Sequence, residues 1–386
     1  MNTILFDYNI KSFLPLTFTR PIAELRVGIF TIKEKWNYYF NKISIKTEAY
    51  LSDKFPIKTI DNNLWINAQV LPNSAIVKEI KNLKDNQVLM KDDLPIAFLG
   101  EQYDYFSLHK KQIESNISVL KNIYDIFLQN ESEIKEDFEI ITQGRVSQEL
   151  SESNHLLGDD QQIFIEKDAK VECAILNTND GPIYIGKNAE IMEGSLIKGP
   201  FAMCEHSVVK MGAKIYGPTT LGPVCYVGGE LNNVVITGYS NKVHDGFLGN
   251  SVIGEWCNIG ADTNNSNLKN NYADVKLWSY TANQFLNTGL QFCGLIMGDH
   301  SRCGINTMFN TGTVIGVNTN IYGAGFPRNF IPSFSWGGAS GFSTYKINKA
   351  CEVAKKVMIR RGIDFDEKDK KILSHVFELT KVYRKD

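Results

Sequence analysis

The chain has 386 residues, enough for two or three domains with buried cores. Its 43% hydrophobic and 22% charged residues, with a formal net charge of -2, give no electrostatic case for nucleic acid or an anionic membrane as partner. Residues 1–8 lack the basic-then-apolar pattern of a secretory signal, and no run approaches the roughly 20 apolar residues of a membrane span. The seven cysteines are odd in number and contain no C-x-x-C, which fits free thiols and a cytoplasmic location.

From the N-terminus, residues 1–7 read as a short buried strand. Residues 20–39 read as largely helical, with Pro21 in the first turn and Ile29, Ile32 and Trp36 at helical spacing. Residues 63–71 form a strand-like run ending at Pro72, and 102–129 have the composition of a helix or helix pair. Strands alternating with helices predict an α/β domain over residues 1–150.

A six-residue repeat then takes over. Apolar residues recur without a break at Ile185, Ile191, Ile197, Met203, Val209, Ile215, Leu221 and Val227, with small residues four places later at Ala189, Ser195, Ser207, Ala213, Thr219 and Cys225. Such a period marks a left-handed parallel β-helix, one hexapeptide per face of a triangular prism. The phase starts near Ile165, breaks at 177–182, and slips through 228–242. It returns at Phe247, Ile253 and Ile259, and again from Met297 to Ile321 after a polar excursion over 264–291. Residues 326–343, rich in Pro, Gly and Ser, are expected to leave the prism. The predicted domains are therefore 1–150, a β-helix over 151–335, and a helical cap over 336–386. The cap should hold one helix over 345–361, stopped by Gly362, and another starting near Asp366.

Loops that interrupt a solenoid are where chemistry concentrates, since the coils are committed to stacking. The string Asn241-Lys242-Val243-His244-Asp245-Gly246-Phe247-Leu248-Gly249 sits at such a break. A neutral imidazole at cytoplasmic pH suits His244 to act as a general base. His206 and His300 lie inside regular hexapeptides at one shared offset and carry no such expectation. No close pair of histidines exists to hold a zinc ion.

At this string the chain resembles the bifunctional uridylyltransferase/acetyltransferase (GlmU) family that makes UDP-N-acetylglucosamine. The family's Lys-x-x-His-x-x-Tyr-Leu-Gly and Ile-Gly-x-x-x-Asn-Ile-Gly-Ala-Gly-Thr strings are matched by His244, Phe247, Leu248, Gly249, Ile253, Gly254, Asn258, Ile259, Gly260, Ala261 and Thr263, and its loop by 264–267 and Asn271-Tyr272. The resemblance implies acetyl-CoA-dependent acetylation of a sugar phosphate or nucleotide sugar in a homotrimer. His244 is then the base, and Asn258, Ala261, Asn267, Phe247, Lys242 and Tyr272 are candidates for acyl-CoA or acceptor contacts. The chain departs from the family at Phe247 for Tyr, Asp262 for Gly, and Asn232 and Asn233 where basic residues hold the sugar phosphate.

The N-terminal string from Phe13 to Gly28 looks like the shortened nucleotidyltransferase-like domain of GlmU-like proteins, without paired glycines. Arg20, Arg26 and Lys33 are its candidates for nucleotide phosphates. Mg²⁺ is implied if the domain is active, but 64–69 offers no carboxylate and Asp92-Asp93 reads as a turn. Two other functions stay open: a sugar-1-phosphate nucleotidyltransferase whose β-helix mainly trimerises the protein, and a non-catalytic sugar-nucleotide-binding protein.

Overall fold

The computed structural model describes residues 2–384. They divide into two compact units, one of Met1–Phe13, Thr19–Leu25 and Phe30–Ile123, the other of Leu14–Phe18, Arg26–Ile29 and Tyr124–Asp386.

The first unit is α/β, built on a six-stranded mixed sheet. Asn2–Phe6, the expected first strand, lies second from one edge. It pairs in parallel with Ile43–Lys46 on one side and Asn63–Asn67 on the other. Its parallel neighbours on either side make the first strand a switch point of the sheet order. The sequence expectations fail where local signals lose to tertiary pairing. Within 20–39 only Ile32–Asn37 is α-helix, because Thr31 and Glu34 close a capping box there and start the helix late. Gly28 has φ +76° in the stretch before it. The expected run 63–71 splits into Asn63–Asn67 and Val70–Leu71. Residues 102–129 are not a helix pair. His109–Gln112 is a strand parallel to Gln87–Lys91, Ser118–Val119 pairs with Val70–Leu71, and only Asp125–Leu128 is helical.

The second unit is a left-handed parallel β-helix with C-terminal helices. The hexapeptide apolar residues point into its lumen: Ile165, Val171, Ile185, Ile191, Ile197, Met203, Val209, Ile215, Leu221 and Val227 share one buried core with Ile253, Ile259, Met297, Cys303, Phe309, Ile315 and Ile321. Glu190, Val208 and Tyr226 are register partners on successive coils, so a regular coil is 18 residues, three hexapeptides. The corner before each small residue is left-handed. Asn188, His206, Val224, Trp256, His300 and Asn318 all have φ of 53–62° there, which is the shared offset of His206 and His300. His300 is a buried stacking residue: its ring lies 6.2 Å from Trp256, which stacks on Tyr239 at 4.3 Å.

The slip over 228–242 is a shortened coil. Tyr226 pairs with Asn241, a step of 15 residues, and Asn241 with Asn258, a step of 17. The change moves the register by one. Leu248, not Phe247, enters the lumen, while Phe247 faces out. The β-helix also extends past 326. Phe330–Ile331 pairs with Val314–Ile315, and Ser335–Gly338 with Asn320–Ile321, so the Pro- and Gly-rich segment makes a final coil.

One face is covered by the unit's own chain. Asp125–Leu128 and Asn130–Thr142, a helix the sequence reading missed, pack across the strands that carry the buried outward residues Thr220, Val235 and Val252. Asn130 accepts from Gly28 N–H at 2.8 Å and from the Thr220 hydroxyl at 3.1 Å. The cap helices Ile347–Arg360 and Glu367–Leu379 fall where expected, with Asp366 accepting from Lys368 and Asp369 N–H at the second start.

Candidate active site

His244 sits at the corner between two β-helix faces, after the strand Asn241–Lys242 and before Phe247–Glu255. Its imidazole is exposed and has no side-chain hydrogen bond among the described residues. The next coil crosses directly over it: Asp262 N–H donates to Asp245 O at 2.9 Å, which sets Ala261 beside His244. The corner turns at Gly246, φ +113°, where a Cβ would collide with the carbonyl of Thr263. Asn241 and Asn258 are neighbours on one face, the Asn241 amide 3.5 Å from Asn258 Oδ1. On the other face Phe247 N–H donates to Asn264 Oδ1 at 2.8 Å, Gly249 N–H to Asn265 Oδ1 at 2.9 Å, and the Asn267 amide to Asn250 Oδ1 at 2.7 Å. His244 and Phe247 thus lie on one coil, and Asn258, Ala261 and Asn267 on the next.

Lys242 is elsewhere. It occupies the lumen position between Val227 and Ile259 and is buried, so it is not presented to an acceptor. Its ammonium donates to Gly228 O at 3.1 Å and to His244 O at 2.8 Å, holding the corner from inside. Burial pushes it down to about 8, against the pull of Asp245 and Asp262. Tyr272 is exposed on the excursion, with backbone bonds to Lys269 and Gln291 and no bond to the His244 corner among the described residues. Sequence reasoning missed one contributor. The Arg361 guanidinium lies 4.1 Å over the Tyr226 ring and donates to Asn241 Oδ1 at 3.0 Å, so the end of the first cap helix braces the string. No sequence signal links residues 120 apart.

Arg26 belongs to the second unit and is buried. Its Nε donates to Thr237 O at 3.2 Å and another guanidinium nitrogen to Ile29 O, which commits it to backbone carbonyls. In the first unit Arg20 is buried and Lys33 pairs with Glu24 at 3.0 Å. At the carboxyl end of the first strand, Asp7 accepts from Ile22 N–H at 2.9 Å. Burial raises its carboxyl to about 7. The residues do not fit a Mg²⁺ site. Among the described residues no group of three His, Cys, Asp or Glu is placed to hold a metal, Asn67 is bonded to Pro95 O and Gln69 N–H, and Asp92 has φ +53° in a hairpin turn.

Residues 3–146 match the family described as sugar nucleotidyl transferase. The chain is also 26% identical over 207 residues to the bifunctional protein GlmU of Alkaliphilus metalliredigens (strain QYMF), covering 46% of this chain and 44% of that relative. Over these stretches the chain is similar to those proteins. It spans less than half the length of the curated relative it matches. The chain contains no helix, among the described residues, long and apolar enough to cross a membrane.

Proposed function

We propose that this chain is a transferase of sugar-nucleotide metabolism whose β-helix carries acyl-CoA-dependent N- or O-acetylation of a phosphorylated or nucleotide-linked sugar. The observation that carries this reading is the corner itself. An exposed imidazole stands beside Ala261 of the next coil, its own carbonyl held by a buried lysine, and asparagine side chains bond along the strands on either side of the corner. Neutral His244 accepts the proton of the acceptor amine or hydroxyl as that group attacks the thioester. The amides of Asn258 and Asn267 suit the developing oxyanion or the acceptor hydroxyls. When bound, acetyl-CoA supplies the activated acyl group.

The test is thiol release from acetyl-CoA against a panel of amino-sugar phosphates and nucleotide-linked amino sugars. His244→Ala is expected to lower turnover by about 10²–10⁴-fold. No turnover on any acceptor, or a variant as active as wild type, sinks this mechanism.

A second reading, a sugar-1-phosphate nucleotidyltransferase trimerised by its β-helix, has its own support. The match over 3–146 names that chemistry. The outward face running from His155 through Ile175, Leu196, Lys214 and Glu230 to Phe247 leaves Leu157, Ile175, Leu196 and Tyr216 37–46% exposed along a groove of about 390 Å³. An apolar face of that size favours a second copy as its cover. Pyrophosphate release from a nucleoside triphosphate and sugar 1-phosphate, with no thiol release, would replace the first reading by this one.

A further inference from the structure

The polar excursion folds into structure of its own. Lys276–Ser279 pairs with Gln284–Asn287 as an antiparallel hairpin, and a bridge from Leu268 to Phe292 closes its base. Beside the hairpin and the last coils lies an open groove of about 590 Å³, lined by Lys269, Lys276, Phe285, Thr311, Arg328, Asn329 and Phe330. Three of these are cations and none is a carboxylate. Lys276 and Arg328 make no ion pair or side-chain hydrogen bond among the described residues, and Lys269 is anchored at 2.6 Å on the carbonyl of Asp274. Three like charges around one concavity repel one another unless an anion joins them.

The apolar part of the lining is aromatic, Phe285 and Phe330, and it packs into a cluster of rings. Phe330 stacks on Trp278 at 4.2 Å with the rings 10° from parallel, and Phe285 meets the same indole edge-on at 5.4 Å. Tyr280 and Tyr383 close around Phe330. Phe285 keeps 41% of its surface exposed, a flat apolar face available to another ring. A groove of this volume is large for an inorganic anion and suits a ligand of nucleotide size.

From the cations, the exposed ring and the volume we infer that this groove binds a nucleoside diphosphate, with Lys276 and Arg328 on the phosphates and Phe285 against the base. Guanidinium and ammonium groups grip phosphate oxygens through charge-assisted hydrogen bonds, and base–aromatic stacking tolerates any base. Two molecules carry this chemistry, a nucleotide sugar and the ADP portion of coenzyme A. Its lining residues are not those of the His244 corner, and binding here does not depend on acyl transfer taking place there.

The experiment is equilibrium titration of the full-length protein with UDP, ADP, coenzyme A and inorganic pyrophosphate at low ionic strength. The variants are Lys276→Ala/Arg328→Ala and Phe285→Ala, with His244→Ala as control. At least one nucleotide should bind, and the double charge variant should weaken it about tenfold or more at an unchanged melting temperature. Phe285→Ala should weaken nucleotides but not pyrophosphate, and His244→Ala should change nothing. Tighter coenzyme A than UDP identifies the cofactor as the source, and the reverse order identifies a nucleotide sugar. No binding at millimolar ligand, or affinity unchanged in the double charge variant, overturns the inference whatever the outcome of the acetylation assay.

Discussion

Two stretches of the same β-helix differ in what they ask of each residue. From 183 to 227 every coil step is 18 residues, every lumen position is apolar, and successive coils replicate one another. From 228 to 294 the steps are 15, 17 and 44 residues, a lysine stands in the lumen, and asparagine side chains take over backbone hydrogen-bonding positions. The first stretch is committed to stacking. The second gives up regular packing to build a corner with an exposed imidazole, which is the pattern expected where stability and function are separated along one solenoid.

Exchanging the histidines sharpens the contrast most. His244→Ala should lower acetyl transfer about 10²–10⁴-fold. His206→Ala, in the regular stretch, removes a residue at a left-handed corner, φ +58°, and should leave turnover unchanged. Steady-state kinetics of the two variants on one acceptor decides this, and equal losses would remove the functional distinction between the stretches.

The lumen is the next place to press. Ile197→Ala empties a fully buried position in the regular stretch and should destabilise by about 2–5 kcal/mol. Lys242→Met keeps the volume and removes a buried charge, a replacement that is often close to neutral in stability. It frees the carbonyl of His244, so turnover should fall by more than stability does. Chemical denaturation beside turnover separates the two effects. A large stability loss in Lys242→Met would make the lysine a structural prop and nothing more.

Much of this was legible in the sequence, and the reason is physical. A lumen that admits one apolar side chain per hexapeptide imposes a period no other architecture holds, so Ile185 through Val227 announce themselves. The corner that carries His244 was legible as a break in that period. Phe247 was misread because a coil of changed length shifts phase by one, and periodicity cannot tell an inward Leu248 from its neighbour. Lys242 and Arg26 were misread for a related reason. A cation in a loop-like string suggests a ligand, while only the fold shows that backbone carbonyls already use it. The groove of Lys276, Arg328 and Phe285 joins residues from the hairpin and a late coil, which no local pattern connects.

A smaller effect compares the buried lysine with solution. In the unfolded chain Lys242 titrates near its ordinary 10.4 or so, while in the fold burial holds it at about 8. Between those values the unfolded state binds the extra proton, so this group makes stability rise with pH from about 8 to about 10.4 and contributes no slope below 8. Lys242→Met should remove that rise. Denaturation midpoints of both proteins at steps from pH 7.5 to 10 should converge or diverge accordingly, and parallel curves would refute the depressed ammonium.

The smallest expected effect lies in the first unit and has the opposite sign. Asp7 carries a carboxyl raised to about 7 by burial, whereas an unfolded aspartate titrates near 3.9 or so. Between those values the native state binds the extra proton, so the group favours folding at low pH, and that contribution is lost as pH rises from about 4 to about 7. Asp7→Asn retains a side-chain oxygen that can accept from Ile22 N–H and never ionises. Its stability should therefore gain on wild type steadily as pH rises across that window, read as the difference in denaturation midpoint at pH 4.5 and pH 7. A difference that stays flat would mean that Asp7 ionises normally, leaving the carboxyl end of the first strand charged well below neutral pH.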